Sequence, residues 1–539
     1  MNLMKKRGKG RISLLILAGM LSAGLHPSAA HADSTEEIIT LLKAKNIITA
    51  DEAAQLLARH KNEVAQLVQQ AQEQALAQAQ SQPPAQPKPI TIVVPKGQQY
   101  IPATSGPVSH DIKEEVSRQV KQEMKDEIAM EVQRENAASS DLDWSKRIRF
   151  GGDIRLRYEG DFFDQNNSSP VNVSNPTQVL NRTVDQNKFR YRMRVSATGE
   201  VDDQIEAGVR LSTGNTGTPV STNDTLGNYM NKDNVLFDLA YLKWSPLSKS
   251  SAVVSNLDLW GGRIPNPFFS TDLVWAPDLN FEGVATNLEV PINSRWKGFV
   301  NAGVFPLQEI SLATENKWFF GGQMGVQYTT PQKNSFKIAT AYYDFQNTQG
   351  KQNPYVINNV GPYDYTVPLY QQQGNTVFNI NAYNSGPTKF GLAADYHELN
   401  ITGRADIHNF DPVTVSFLGD YVKNVGFDTA TVNALTGENV PRQDTGYQFG
   451  AIVGNPTMQK LWDWQSSLFY KYLEADAVLD AFTDSDFHLG GTNAKGWILG
   501  GQLGLGKNVW LGARWYSTNV ISGPTCSVDM LQVDINGRF

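Results

Sequence analysis

Seven arginines, Arg149, Arg155, Arg157, Arg190, Arg192, Arg194 and Arg210, fall on the polar side of three segments in which every second residue is apolar. Guanidinium groups stay charged at every physiological pH and grip carboxylates and phosphates through paired N–H donors. On neighbouring strands facing water they would lie a few ångströms apart and attract anions. Asp153, Glu159, Glu200 and Glu206 are assigned to the same side. The alternative is therefore a wall of ordinary charges paired with one another, and both readings stay open.

A second group lies within 265–282: Pro265, Pro267, Phe268, Phe269, Asp272, Trp275, Pro277, Asp278 and Glu282. Prolines, large aromatics and acids together are unusual for a loose surface loop. We expect this segment to fold inward, with Asp272 and Asp278 facing the arginines and Trp275 and Glu282 beside them. A loop packed on a rim with its acids in solvent is the alternative.

Enzyme chemistry has little to stand on. Beyond residue 32 the histidines are His60, His110, His397, His408 and His488, and none has a nucleophile motif beside it. The sequence holds no HExxH, phosphate-binding loop or zinc-ligand spacing. The one cysteine, Cys526, excludes an internal disulfide framework and a cysteine-rich metal site. No catalytic residue, metal or cofactor is expected.

The arginines need strands to hold them. Phe189, Tyr191, Met193, Val195 and Ala197 alternate with Lys188, Arg190, Arg192, Arg194 and Ser196, and the pattern recurs from Ile148 to the C-terminus. The last strand puts Leu531, Val533, Ile535, Gly537 and Phe539 on one face and polar residues on the other. Alternation of period two is the mark of a strand with unlike faces. No apolar run after residue 30 approaches the ~20 residues of a spanning helix, and the mean hydropathy is negative. A membrane β-barrel has that hydropathy, because only alternate residues meet lipid. A soluble β-rich binding protein is the competing fold.

Connections alternate between short turns, as at Asp202-Asp203 and Lys507-Asn508, and long ones, as at 160–187, 213–233, 265–280 and 347–388. Tracing them predicts an all-β antiparallel transmembrane barrel of about 16 strands over 146–539, or 18 if 375–384 supplies a strand. A lumen that wide leaves room for water, with selectivity set by charges at a narrowing. Trp244, Trp260, Trp296, Trp318, Trp462, Trp464, Trp497, Trp510 and Trp515 fit two interfacial girdles. Trp275 and Tyr343 are the candidates for the polar face.

The N-terminal part has another character. Residues 1–32 combine five basic residues, an apolar core from Ile12 to Leu25 and an Ala30-His31-Ala32 cleavage pattern, which reads as a signal peptide. Residues 33–81 read as a helical hairpin and 82–108 as a Pro-rich linker. Residues 109–140 read as a helical stalk, with a narrow apolar row suited to a coiled coil. An even strand count would leave this region in the periplasm.

The segments Ile148 to Tyr158, Asn187 to Arg194, Gly262 to Phe268 and Asp278 to Gly283 resemble the putative porin family of Gram-negative outer membranes, whose members carry a helical periplasmic N-terminus. The resemblance implies a passive diffusion channel for small hydrophilic solutes or ions. In porins the third long loop folds inward opposite basic wall residues, and 265–280 is the third here. The implied partners are outer-membrane lipid or lipopolysaccharide, the barrel assembly machinery reading a C-terminal signal at Phe539, and two further copies in a homotrimer. A net charge of −7 argues against nucleic acid. A structural tether, reaching peptidoglycan through the N-terminal helices, is the alternative function.

Overall fold

The computed structural model describes residues 147–169, 171–172, 175–247, 254–311 and 315–539. The signal peptide, hairpin, linker and stalk expected from the sequence lie outside the described residues.

Sixteen long antiparallel strands close on themselves. In chain order they are β1 (Ile148–Phe163), β2 (Gln186–Glu200), β3 (Ile205–Ser212), β4 (Leu236–Trp244), β5 (Asn256–Ile264), β6 (Phe281–Pro291), β7 (Trp296–Gln308) and β8 (Lys317–Thr329). Then follow β9 (Ser335–Gln346), β10 (Tyr396–Phe410), β11 (Val413–Asn424), β12 (Thr445–Gly454), β13 (Trp464–Leu473), β14 (Ala494–Gly506), β15 (Val509–Val520) and β16 (Ser527–Arg538). Each pairs with its neighbours in sequence. Closure comes from β1 against β16, in a register running from Asp153↔Arg538 to Phe163↔Val528. The backbones of Gly152 and Phe539 also exchange two hydrogen bonds, of 3.0 and 3.1 Å. A closed barrel leaves no strand edge unpaired, which lipid requires.

Sixteen is the strand count, not eighteen. Val377–Asn379 pairs only with Phe390–Leu392, forming a small hairpin inside the long 347–395 connection. Short turns and long loops alternate around the rim as the tracing anticipated.

The two faces of the wall separate cleanly. Phe150, Leu156, Phe189, Met193, Phe237, Met324, Phe417 and Leu499 are exposed on the outside. An apolar surface of this extent in water would drive association, whereas lipid accepts it. This disfavours the soluble alternative. Trp244, Trp296, Trp464, Trp497 and Trp515 are exposed with that belt. Trp260 and Trp510 are not: Trp260 lies under the Lys243 ammonium and against Tyr241, both inward-facing, and Trp510 lies under the Arg538 guanidinium. The two-residue period decides their face, whatever an indole would prefer.

Inside, three long loops fill much of the space. Residues 265–280, 347–395 and 474–493 carry Leu273, Trp275, Phe378, Ile380 and Val478 into one apolar cluster with the inward-facing Phe305, Phe319 and Tyr396.

Candidate functional site

The arginines project inward because the apolar residues between them project outward. Their partners are then set by register. Arg157 is fully buried and bidentate to Asp534 on β16, at 2.7 and 2.9 Å, with a third bond of 3.0 Å to Asp486 of the 474–493 loop. Arg190 bonds Glu159 at 3.2 Å. Arg192 and Arg194 share Asp153, at 2.7 and 2.8 Å. Arg210 bonds Asp238 at 2.5 Å. Arg149, near the short-turn end, reaches Glu206 at 3.3 Å and Glu200 at 3.6 Å.

Arg155 is different. Its one side-chain hydrogen bond goes to the neutral amide of Asn223, and its buried Nε has no partner. Arg514 on β15, which sequence reasoning passed over, likewise has no carboxylate partner among the described residues. It is exposed to the lumen and leans toward the Tyr516 hydroxyl. Six of the seven wall arginines are thus ion-paired, which is the paired-charge reading for most of the wall. Arg155 and Arg514 are without a carboxylate at ion-pair distance among the described residues.

The 265–280 loop leaves the wall between β5 and β6 and crosses the interior. Asp278 sits against the arginines, 3.4 Å from Arg192 and 3.3 Å from Arg194, and accepts from the Thr222 hydroxyl at 2.9 Å. Asp272 does not face the arginines as expected. It accepts from Lys471 on β13 at 3.1 Å and from Gln448 on β12 at 2.6 Å. The adjoining Thr271 hydroxyl bonds Asp420 on β11 at 2.7 Å. The reason for the difference is length. Five residues lie between the two acids, enough chain to reach different parts of the wall rather than place both on one side.

Trp275 and Tyr343 are also not on a watered surface. Both are buried, with ring centroids 5.1 Å apart and Phe268 edge-on to Tyr343. Gly321 on β8 makes room for Phe268, because a Cβ there would collide with its ring. Glu282 stands at the start of β6, paired with Arg263. Phe539 is largely exposed, and its ring covers Gly152 on β1.

The wall cations hold the loop acids ionised. Burial works to raise the Asp278 carboxyl, but Arg192, Arg194 and Arg155 outweigh it and hold it below its ordinary value. Burial likewise opposes ionisation of Asp272, and Lys471 and Gln448 overcome it. At Asp486 the burial penalty is overridden by Arg157, Arg190 and Arg155. The loops are therefore fastened to the wall by charge, at three separate points.

The 347–395 and 474–493 loops also hold each other. Asn375 donates to the carbonyls of Ala475 and Val478 at 2.6 and 2.9 Å, and Thr376 donates to Asp476 at 2.6 Å. Lys471, Asp486 and Asp534 each complete a contact with a predicted residue. Alternation alone could have placed Lys471 inward, between the outward Tyr470 and Tyr472. Alternation likewise puts Asp534 on the polar face of β16, whereas the loop acid Asp486 carried no comparable signal. Among the described residues no cluster of histidine, cysteine and acidic groups is arranged to hold a metal ion.

A closed sixteen-strand barrel with a polar interior and an apolar belt agrees with the family comparison, in which the model described as "Putative porin" matches residues 32–539. The chain belongs to this porin family. The porin is similar in structure to OprB of Pseudomonas putida at high pH, at 11% identity and a TM-score of 0.43, covering 75% of this chain and 97% of that one. It is also similar to the outer-membrane channel DcaP of Acinetobacter baumannii, at 12% identity and a TM-score of 0.37, covering 73% and 97%. A loop-deletion form of the outer-membrane protein OmpT of Vibrio cholerae is similar at 10% identity and a TM-score of 0.38, covering 73% and 99%. Comparison with curated protein sequences gave no match. Family and barrel together support an outer-membrane channel.

Proposed function

We propose that this porin is a passive, anion-preferring diffusion channel whose narrowest part lies between the 265–280 loop and the arginine wall. The observation that carries the reading is Asp278 against Arg192 and Arg194 at one end of the loop and Asp272 against Lys471 at the other. A segment held at both ends across a lumen leaves solutes a path along its flanks. Fixed charges of opposite sign on either side of such a path set up a transverse field that orients dipolar solutes. The preference for anions rests on Arg155 and Arg514, neither of which has a carboxylate within ion-pair distance among the described residues.

The test is conductance of the refolded mature protein in a planar bilayer under a salt gradient. Stable steps of reproducible size with an anion-selective reversal potential support the reading. A folded barrel that passes no current sinks it. We further propose a homotrimer with the N-terminal region in the periplasm, and a monomeric mass for the detergent-solubilised protein would sink the first of these.

A further inference from the structure

A cavity of about 570 Å³ lies beside the 265–280 loop, within the ~300–1,000 Å³ range of small-molecule sites. Part of its wall is aromatic, with Trp275, Phe281, Phe305, Phe319 and Phe482 in the lining. Two of its charged residues are neutralised where they stand, Arg263 by Glu282 and Asp238 by Arg210.

Lys317, also in the lining, is not neutralised. It is only 4% exposed, and its ammonium donates to the carbonyls of Thr366 and Val367 at 3.3 and 3.0 Å. No carboxylate lies within ion-pair distance of it among the described residues. An ammonium has three donors, so one is unspent. Carbonyls satisfy its hydrogen bonds but not its charge, and a buried charge without a counter-charge is costly.

Two more groups in the lining lack partners. The Thr348 hydroxyl oxygen and one Asp480 carboxyl oxygen are buried and make no hydrogen bond. Burial, reinforced by the charge of Asp476, pushes the Asp480 carboxyl up to about 7. Near neutral pH it can therefore meet a hydroxyl either as donor or as acceptor.

We propose that this cavity seats hydroxylated aromatic carboxylates. The ring lies among the aromatic walls, the carboxylate meets the Lys317 ammonium, and a ring hydroxyl engages Thr348 or Asp480. The flat apolar body suits a site that offers ring faces and edges, and the anion supplies the charge that Lys317 lacks. The proposal deepens the channel reading and rests on it for solute supply.

The experiment is isothermal titration of the full chain, refolded in detergent, with 4-hydroxybenzoate, 4-hydroxybenzyl alcohol and acetate. 4-Hydroxybenzoate should bind at least about tenfold more tightly than the alcohol, and acetate should not compete. Lys317→Met should weaken 4-hydroxybenzoate by at least about tenfold while Lys317→Arg retains it. Equal binding of acid and alcohol, competition by acetate, or indifference to Lys317→Met overturns the proposal. If Lys317→Met fails the heat-modifiable migration test for folding, the three wild-type titrations decide alone. Conductance of the same preparation separates the two readings. Binding without current sinks the channel, and current without binding sinks the seat.

Discussion

Lys471 and Asp272 meet inside the barrel: the ammonium donates to the carboxylate at 3.1 Å and to the backbone oxygen of the same residue at 2.9 Å. Asp272 belongs to the loop joining β5 to β6, and Lys471 lies on β13, seven strands beyond β6. In a ring of sixteen that is nearly opposite. The pair therefore fixes how far the loop reaches.

Lys471 is buried while Asp272 keeps part of its surface in water, so removing the lysine strands a partly solvated carboxylate. Lys471→Met should destabilise the folded barrel by about 1–3 kcal/mol and make single-channel current noisier. Lys471→Met combined with Asp272→Asn should recover much of the loss. Denaturant midpoints of the single and double variants check this, and additive losses would show that the two residues act independently.

Charge balance at the arginine wall can be moved in either direction. One unit charge about 8 Å from a permeating ion in water is worth about 0.5 kcal/mol, or about twofold in permeability ratio. Arg155→Ala should shift the reversal potential toward cations by about that amount. Asp278→Asn, which leaves Arg192 and Arg194 to share Asp153 alone, should shift it toward anions. A shift of the same sign in both variants would place the wall away from the conduction path.

Stability should carry a pH signature from Asp480. Its folded value, about 7, lies above the ordinary carboxylate value because burial dominates and Asp476 adds repulsion. Between about 4 and 7 the folded state therefore holds a proton that the unfolded chain has released. This contribution falls as pH rises through that window and is level above it. The difference between wild type and Asp480→Asn in thermal midpoint, measured from pH 5 to 8, should widen in favour of the variant as pH rises. A flat difference would mean Asp480 ionises normally.

The two large loops pack closely at Gly491. Its φ is +89°, and a Cβ would collide with the carbonyl of Gln373. Gly491→Ala should cost about 1–3 kcal/mol and expose the 347–395 and 474–493 loops to protease. Unchanged digestion of the folded variant would show that the loops part without consequence.

Much of the fold is legible in the residues themselves. The strand period dictates which face Phe189 and Arg190 take, because successive side chains in a strand must point oppositely. The alternation of turn and loop lengths carried the count of sixteen, and only 375–384 was ambiguous. Val377 and Phe378 have the composition of a strand, but too few residues to cross a membrane.

The site was legible in part. The polar face of Arg155, Arg192 and Arg210 follows from local pattern. Which of them keeps a free charge does not, since Arg157 finds Asp534 from the far end of the chain only when β1 closes on β16. The same holds for Asp272 and Lys471, for the aromatic burial of Trp275, and for the uncompensated ammonium of Lys317. Faces, strand count and outer belt are matters of near neighbours along the chain. Partners across the lumen are matters of closure and loop reach, which join residues hundreds of positions apart and leave no periodic trace in the sequence.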